Sequence, residues 1–323
     1  MKRTFLAILL LAAATPWGGA VETASGKLST VIGEEAASVT ELSLTGTMDA
    51  RDFKYISDSM PQLAVLDISG VTIEEYSDKE PLFANFTYYP AGELPKYSLM
   101  GKSLTSVSLP STLTSIGEAA FAGCAELTEI SLPSTVATIG NYAFSSAAKL
   151  AEVKGGEGVR TIGDYAFSRD AALTTVATLP QVESIGGYAF SGCSQMAGFT
   201  FAPSLQSVGE SAFAGSGLTS ADMSGCTSLS VVGAWAFADN GSLREVKMPS
   251  TVSSLGEGAF FYSSALQQVA LPEGLVKINE YTFMGGKAVA TVTLPEGLKE
   301  IGDYAFSDWA TAREIIIPST VEY

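Results

Sequence analysis

The sequence contains no histidine and few basic residues: 18 lysines and arginines stand against 34 aspartates and glutamates, a net charge of −16. The absence of histidine excludes Ser-His-Asp and Cys-His catalysis, histidine-ligated zinc and histidine-based pH switching. The negative charge argues against nucleic acid, whose phosphates attract Lys and Arg, and against an anionic membrane surface. No phosphate-binding glycine loop and no nucleophile–base pair is evident. We therefore expect no enzyme, no metal and no cofactor.

Long apolar runs are scarce as well. One run of ten residues extends from Phe5 to Ala14, behind the positive charges of Lys2 and Arg3 and ahead of the small residue Ala20. This run is too short to span a bilayer, and its flanks are those of a secretory signal peptide over residues 1–20. We expect an exported protein, secreted or at the cell surface, with no membrane-inserted helix.

The chain has three cysteines, Cys124, Cys193 and Cys226. The first two occupy the same position of a repeat, three repeats apart, and at the spacing of a β-sheet this separation is about 14 Å. A disulfide requires Cα atoms within about 7 Å, so these two residues cannot pair and are expected to be buried. Cys226 lies at a different repeat position, and whether its thiol is reactive stays open.

What the chain has in abundance is one repeated unit. The pattern from Leu127 to Lys149 starts again at Leu150, and a fixed short period predicts a solenoid in which each coil contacts its neighbours. We number nine full coils from their first residues: Leu104, Leu127, Leu150, Leu173, Met196, Leu218, Leu243, Leu266 and Val289. A tenth begins at Ala312 and is cut short at Tyr323, so we expect the natural chain to continue.

Each column of the repeat has a physical interpretation. Alternating apolar residues such as Ile130 and Leu132 predict one strand per coil in a parallel sheet. Glycine follows the second apolar position in eight of nine coils, as at Gly140, which predicts a left-handed residue there. One helical turn should follow on the outer side, with Asn141 as its N-cap and Phe144 in a buried stack.

Residues 21–93 differ from this unit. Leu42 and Leu66 lie in alternating segments 24 residues apart, which predicts a first coil of two strands. Between them, Asp49 suits the N-cap of a helix from Arg51 to Met60. We interpret residues 21–93 as an N-terminal capping coil with a helix and an irregular loop.

The unit Leu-x-x-Ile-x-Leu-Pro-x-x-Val-x-x-Ile-Gly-x-x-Ala-Phe is similar to the BspA-type leucine-rich repeat of bacterial surface proteins. The resemblance covers residues 94–323, and the segment from Leu42 to Ile68 resembles the start of such proteins in gut and oral Bacteroidetes. It implies an α/β repeat fold: a right-handed leucine-rich-repeat solenoid with a parallel sheet and short outer helical turns. It also implies an exported, ligand-binding protein without enzymatic activity, since several members act as adhesins for host proteins.

The exposed face of the sheet is the first candidate site, because its polar side chains are free of any role in the core. We expect this face to bind an extracellular or host protein, with the chain acting as a monomer. The candidate residues on it are Glu129, Glu152, Lys154, Thr175, Asp222, Glu245 and Lys247.

Three alternatives remain beside this interpretation. A column of aromatic side chains could stack on sugar rings, which would make the chain a glycan-binding protein. The column of acidic residues on the outer turn could collect calcium, although helix capping accounts for it. The chain could also be a spacer for a further domain. The glycan-stacking candidates are Tyr142, Tyr165, Tyr188 and Trp235.

Coils five and six break the regular pattern. Coil five is one residue short and coil six has two extra residues. Such a break can mark a functional site, but drift of the repeat produces the same pattern.

Overall fold

The computed structural model describes residues 20–290, 292–312 and 315–322. The predicted signal peptide lies outside these residues except for Ala20. The described chain is a parallel β-solenoid with few helices, and the repeat spacing of 23 residues sets its coils, so the predicted fold class is confirmed. The longest described helix has 10 residues, and no helix in this part of the chain is long and apolar enough to cross a membrane.

The N-terminal region contains the predicted helix between two strands. Its elements are the strands Val21–Thr23, Glu41–Met48, Val65–Ile73, Tyr76–Ser77 and Tyr88–Tyr89, the helices α1 (Leu28–Ile32) and α2 (Ala50–Ser59), and the 3-10 helix Gly33–Ser38. Asp49 is the N-cap of α2: its Oδ1 accepts a hydrogen bond from the Arg51 N–H (2.9 Å), and Asp52 Oδ2 accepts one from the Asp49 N–H (3.0 Å). Two otherwise unsatisfied donors of the first turn are thereby paired.

Lys102 holds the other end of α2, a contact that the sequence pattern does not predict. Its ammonium donates to the backbone carbonyls of Ser57 (2.6 Å) and Met60 (3.1 Å), where the helix dipole is negative. Lys102 is buried, and burial lowers its pKa. The residue therefore joins the capping helix to the first coil of the solenoid.

Most coils contribute a strand to each of two rows of parallel strands, instead of the one strand per coil that we predicted. The first sheet is hydrogen-bonded in three separate parts: Val65–Ile73 with Ser106–Ser108, then Glu129–Leu132, Glu152–Gly155 and Thr175–Val176, then Ser220–Asp222, Glu245–Lys247 and Gln268–Ala270. The second sheet contains Glu93–Leu94, Ser115–Ile116, Thr138–Ile139, Thr161–Ile162, Ser184–Ile185, Ser207–Val208, Val231–Val232 and Ser254–Leu255, and beyond these strands lies the pair Lys277–Ile278 and Glu300–Ile301. The second strand was missed because two residues are too few to show an alternating pattern.

The core is a stack of phenylalanines, one from each coil. Successive ring centroids lie 5.1–5.4 Å apart, and their planes are within 11° of parallel. The stacked and buried residues are Phe121, Phe144, Phe167, Phe190, Phe213, Phe237, Phe260 and Phe283. Burial of each side chain contributes about 1.5–3 kcal/mol, so this column is a major source of stability.

The outer segments are chains of tight turns, and the predicted helical turn does not form. In coil one the N–H of Ala120 donates to the Gly117 carbonyl within the same turn (3.2 Å), whereas the N–H of Phe121 donates to the Ala143 carbonyl of the next coil (2.8 Å). Ala119, between Gly117 and Ala120, has a positive φ of 51°. A left-handed residue interrupts the helix and directs alternate N–H groups toward the neighbouring coil.

The glycine that recurs in eight of the nine coils has a different role from the one we predicted. None of the column residues Gly117, Gly140, Gly163, Gly186, Gly209, Gly233, Gly256 and Gly302 has a positive φ. A Cβ atom on Gly186 would lie 2.6 Å from the backbone N of Asp164 and 2.6 Å from the carbonyl carbon of Gly163, both in the preceding coil. Glycine is therefore required because the coils approach closely, and the left-handed residue lies two positions later.

We expect Gly186→Ala to lower the free energy of unfolding by about 1–3 kcal/mol, because the added methyl group overlaps backbone that cannot move aside. Urea denaturation followed by circular dichroism measures this change. The control is Gly198→Ala, since a Cβ there would meet nothing within 4 Å and should leave stability unchanged or slightly raised. Equal losses for the two variants would contradict the close-approach explanation.

Candidate functional site

Two groups of charged side chains stand on the exposed face of the first sheet. The first cluster consists of Glu129 in coil two and of Glu152 and Lys154 in coil three. The Lys154 ammonium donates to Glu129 Oε2 (2.8 Å) and lies 3.3 Å from Glu152 Oε2. These contacts, first the one with Glu129, raise the pKa of Lys154. One lysine therefore bridges two carboxylates, and the cluster keeps one unbalanced negative charge.

The second cluster has the same composition four coils further on: Asp222 in coil six, with Glu245 and Lys247 in coil seven. Lys247 Nζ lies 3.1 Å from Glu245 Oε1 and 3.7 Å from Asp222 Oδ2. Ser224 donates its hydroxyl (2.6 Å) and its N–H (3.1 Å) to Asp222 Oδ1, and these bonds are the main cause of a lowered pKa of Asp222. This carboxylate is accordingly ionised and oriented.

Parallel pairing of neighbouring strands brings the members of each cluster together. Glu152 pairs with Glu129, and Lys247 with Asp222, in register. All six side chains are partly exposed, and exposed ion pairs stabilise a protein by at most about 1 kcal/mol. Their arrangement is therefore not needed for folding and is free to serve a partner.

Coil five separates the two clusters and interrupts the first sheet. Among the described residues, coil five has no strand in the first sheet, and the strand Thr175–Val176 precedes the gap. Thr175 is exposed and pairs in register with Glu152 of the first cluster on the neighbouring strand, but it carries no charge, and its hydroxyl lies 3.5 Å from that of Thr174. Gly198, within the gap, is open to solvent and leaves space above the backbone. Four coils at about 4.8 Å place the clusters about 19 Å apart.

The aromatic column forms a ladder whose rings stack on one another. Tyr142, Tyr165 and Tyr188, here the tyrosine ladder, have centroids 4.7 Å apart and planes within 3°. Both faces of the Tyr165 ring are therefore covered by protein, and a sugar ring cannot lie on them. Trp235 is separated from the ladder by Ser211 and packs edge-on against Phe261 (5.0 Å). This geometry weakens the glycan-stacking interpretation for the interior of the ladder.

The ladder residues are the left-handed residues of the outer turns. Bulky side chains rarely adopt positive φ, and the cost is about 1–2 kcal/mol per residue. Stacking of each ring on its neighbours offsets this cost. The aromatic residues of the column are Tyr97, Tyr142, Tyr165, Tyr188, Trp235, Tyr281 and Tyr304, with φ between 56° and 61°.

At two of the positions where the column lacks an aromatic residue, a glutamate accepts a hydrogen bond from the tyrosine of the preceding coil. The Tyr188 hydroxyl donates to Glu210 Oε1 (2.8 Å), next to Ser211. The Tyr97 hydroxyl donates to Glu118 Oε1 (2.6 Å), next to Ala119, and this bond raises the pKa of Tyr97 to about 12.

We predicted that the polar residues of the outer turns cap their own turn. They cap the neighbouring coil instead. Asn141 Oδ1 accepts from the N–H of Asp164 (2.9 Å), and Asp164 Oδ1 accepts from the N–H of Gly187 (2.7 Å). These oxygens are thus already engaged with backbone. Within the described ranges, no three His, Cys, Asp or Glu side chains form a group that could hold a metal ion.

All three cysteines are buried and unpaired, which confirms that Cys124 and Cys193 do not form a disulfide. Burial raises the pKa of Cys124 to about 12 and that of Cys226 to about 11. Because the thiolate is the reactive form, Cys226 is an inert thiol at neutral pH.

The geometry defines a class of protein: a repeat solenoid with an exposed, polar, charge-paired sheet face. The BspA type leucine rich repeat region matches residues 92–219, 160–266 and 218–323, in six copies. The chain therefore belongs to the BspA-type leucine-rich repeat family. Among curated proteins, none matches it.

Solved structures of leucine-rich repeat proteins are similar to this chain. A leucine-rich repeat protein from Bacteroides ovatus is 22% identical with a TM-score of 0.51, over 88% of this chain and 80% of that one. A leucine rich cell surface protein from Faecalibacterium prausnitzii is 22% identical with a TM-score of 0.47, over 88% and 78% of the two chains. At these identities the likeness concerns the fold alone.

Tyr165→Ala should lower the free energy of unfolding by about 1–3 kcal/mol, because the substitution removes two stacked contacts worth about 0.5–1.5 kcal/mol each. Denaturant titration monitored by circular dichroism provides the measurement. Tyr88→Ala is the control, because Tyr88 is exposed and lies outside the ladder, and we expect a change within about 0.5 kcal/mol. A Tyr165→Ala variant as stable as the control would show that the ladder does not stabilise the solenoid.

Proposed function

We propose that this chain is a secreted or cell-surface protein without enzymatic activity that binds an extracellular or host protein through the exposed face of its first sheet. The observation that carries the proposal is the pair of clusters on that face, each with two carboxylates and one lysine. Membership of a family of leucine-rich repeat surface proteins is consistent with a binding role. The signal-peptide pattern of residues 1–20 supports export.

Charge defines the kind of partner that fits. Each cluster holds two carboxylates and one lysine, on a chain whose net charge is −16. A partner that presents Lys or Arg side chains would be attracted over long range and could pair with the unbalanced carboxylate of each cluster. The partner surface is accordingly a basic one, with charged groups about 19 Å apart, the distance between the clusters.

The two clusters differ from the salt bridges of the second sheet in having three members. Arg160 pairs with Glu183 (2.6 Å) and Lys277 with Glu300 (2.6 Å), which balances the charge at each site. Because these pairs have no residual charge and lie on another face, they serve as matched controls for the clusters.

Under the glycan alternative, only the terminal rings of the tyrosine ladder have a face on which a sugar could stack. Sugar stacking requires an exposed ring face, and the rings of Tyr142, Tyr165 and Tyr188 face one another. We therefore rank protein binding above glycan binding. The spacer alternative predicts that no substitution on the first sheet alters binding.

The double variant Glu152→Lys, Glu245→Lys should weaken binding to a basic partner at least about tenfold, because each change replaces attraction by repulsion at one cluster. Binding is measured by surface plasmon resonance against a panel of purified extracellular matrix proteins, with a glycan array in parallel. The effect should shrink as salt is raised from about 0.05 to 0.5 M.

The matched control is Glu183→Lys with Glu300→Lys, which alters net charge by the same amount on the second sheet. Long-range attraction falls equally in both double variants, so only a local site distinguishes them. Equal losses in the two would reject the first-sheet face as the site. Glycan signals that depend on Tyr142 or Tyr188 would favour the glycan alternative, and an absence of any binding would favour a spacer.

A further inference from the structure

The position three residues before the next coil carries a side-chain hydrogen-bond donor in five coils, whereas Ala147 and Gly286 hold it in coils two and eight. The five donors of this column donate to the backbone carbonyl of the phenylalanine-column residue in the preceding coil. The bonds are Cys124 Sγ to Leu99 O (3.1 Å), Cys193 Sγ to Phe167 O (3.1 Å), Asn240 Nδ2 to Phe213 O (2.8 Å), Ser263 Oγ to Phe237 O (3.0 Å) and Trp309 Nε1 to Phe283 O (2.7 Å). Four chemically different residues thus perform the same function.

Asp170 occupies this donor position at the end of coil three, although an ionised carboxylate cannot donate. The side chain is fully buried. Its Oδ1 accepts from the N–H of Ala147 in coil two (2.8 Å), whereas its Oδ2 is buried without a hydrogen-bond partner. An unpaired buried oxygen is costly and demands an explanation.

Asn240 indicates which hydrogen bond Asp170 Oδ2 would make, because its Nδ2 atom occupies the equivalent position in the column. Asn240 Oδ1 accepts from the Ser216 hydroxyl of the preceding coil (2.8 Å), as Asp170 Oδ1 accepts from Ala147. The Nδ2 group of Asn240 then donates to a phenylalanine carbonyl. By the same repeat relation, 26 residues back as for Cys193 and Ser263, the corresponding carbonyl for Asp170 is that of Phe144.

We infer that Asp170 is built into the solenoid as a neutral carboxylic acid whose O–H is directed at the Phe144 carbonyl, and that its ionisation opens the stack of coils two to four. The protonated acid supplies a donor like those of Cys193 and Asn240 in the same column. The ionised acid would place a negative oxygen against a carbonyl oxygen in a fully buried site.

The surroundings of Asp170 favour the neutral form. Burial raises its pKa to about 9, against the hydrogen bonds from the Ala147 and Ser146 N–H groups. The titratable group that faces it from coil four is the Cys193 thiol, whose pKa burial also raises, and its chain neighbour Arg169 is exposed. An unfolded aspartate has a pKa of about 3.9, so the contribution of Asp170 is complete below that pH and is lost as pH rises through about 9.

The contact between Asp170 and Ala147 joins coils two and three, which carry only the first of the two clusters. Ala147 precedes the strand that begins at Glu152, and Asp170 precedes the strand that begins at Thr175. The second cluster is joined through Asn240, which does not titrate. Alkaline pH should therefore loosen the first cluster and leave the second in place.

The test is a reciprocal exchange, Asp170→Asn and Asn240→Asp, studied by hydrogen exchange with mass spectrometry between pH 5 and 9. After correction for base catalysis, the opening equilibrium of peptides spanning residues 144–176 should rise about tenfold per pH unit in the wild-type chain. Asp170→Asn should abolish this rise. Asn240→Asp should create the same dependence around residues 213–247.

Asp303→Asn is the control, because Asp303 is exposed on an outer turn and its removal should change nothing. The inference is overturned if Asp170→Asn retains the pH dependence of the wild-type chain, or if Asn240→Asp folds without acquiring one. Should Asn240→Asp not fold at any pH, the Asp170→Asn comparison decides alone.

Discussion

Backbone hydrogen bonds between neighbouring coils are the interaction on which the rest of this structure depends. They run through both sheets and through the outer turns, where alternate N–H groups donate to the next coil. They fix the coils at the spacing of a parallel sheet, about 4.8 Å. At that spacing a methyl group on Gly186 has no room, and a flat ring such as that of Phe167 fits directly against its equivalent in the next coil.

Because of the same spacing, equivalent side chains of successive coils form columns, and a side chain in one coil stacks on or hydrogen-bonds to residues of the next coil. Phenylalanine suits the core column because rings stack at about 5 Å. Asn141 and Asp164 act on the next coil because the nearest unsatisfied N–H group is found there. In the column that contains Asp170, cysteine, serine, asparagine and tryptophan each donate to a carbonyl of the preceding coil, whereas Ala147 and Gly286 have no side-chain donor.

At positions that take no part in the packing of the coils, the residue can change to suit a binding partner without loss of stability. The outward residues of the first sheet contribute little to stability, and it is there that Lys154 and Lys247 each bridge two carboxylates. Coil five divides this face because Phe199 and Phe201, in place of smaller strand residues, pack against the phenylalanine stack. The irregular coils thus define the distance between the two clusters.

The sequence by itself determined the repeat, the solenoid, the phenylalanine core and the N-cap of α2, because each depends on a local pattern that recurs. It also marked every residue of the two clusters as exposed. Only the tertiary structure decided the second sheet, the left-handed position at Tyr165 in place of Gly163, the closed ring faces of the ladder and the buried acid at Asp170. These features arise from contacts between residues about 23 positions apart, and the repeat pattern shows that such residues are neighbours but not which atoms meet.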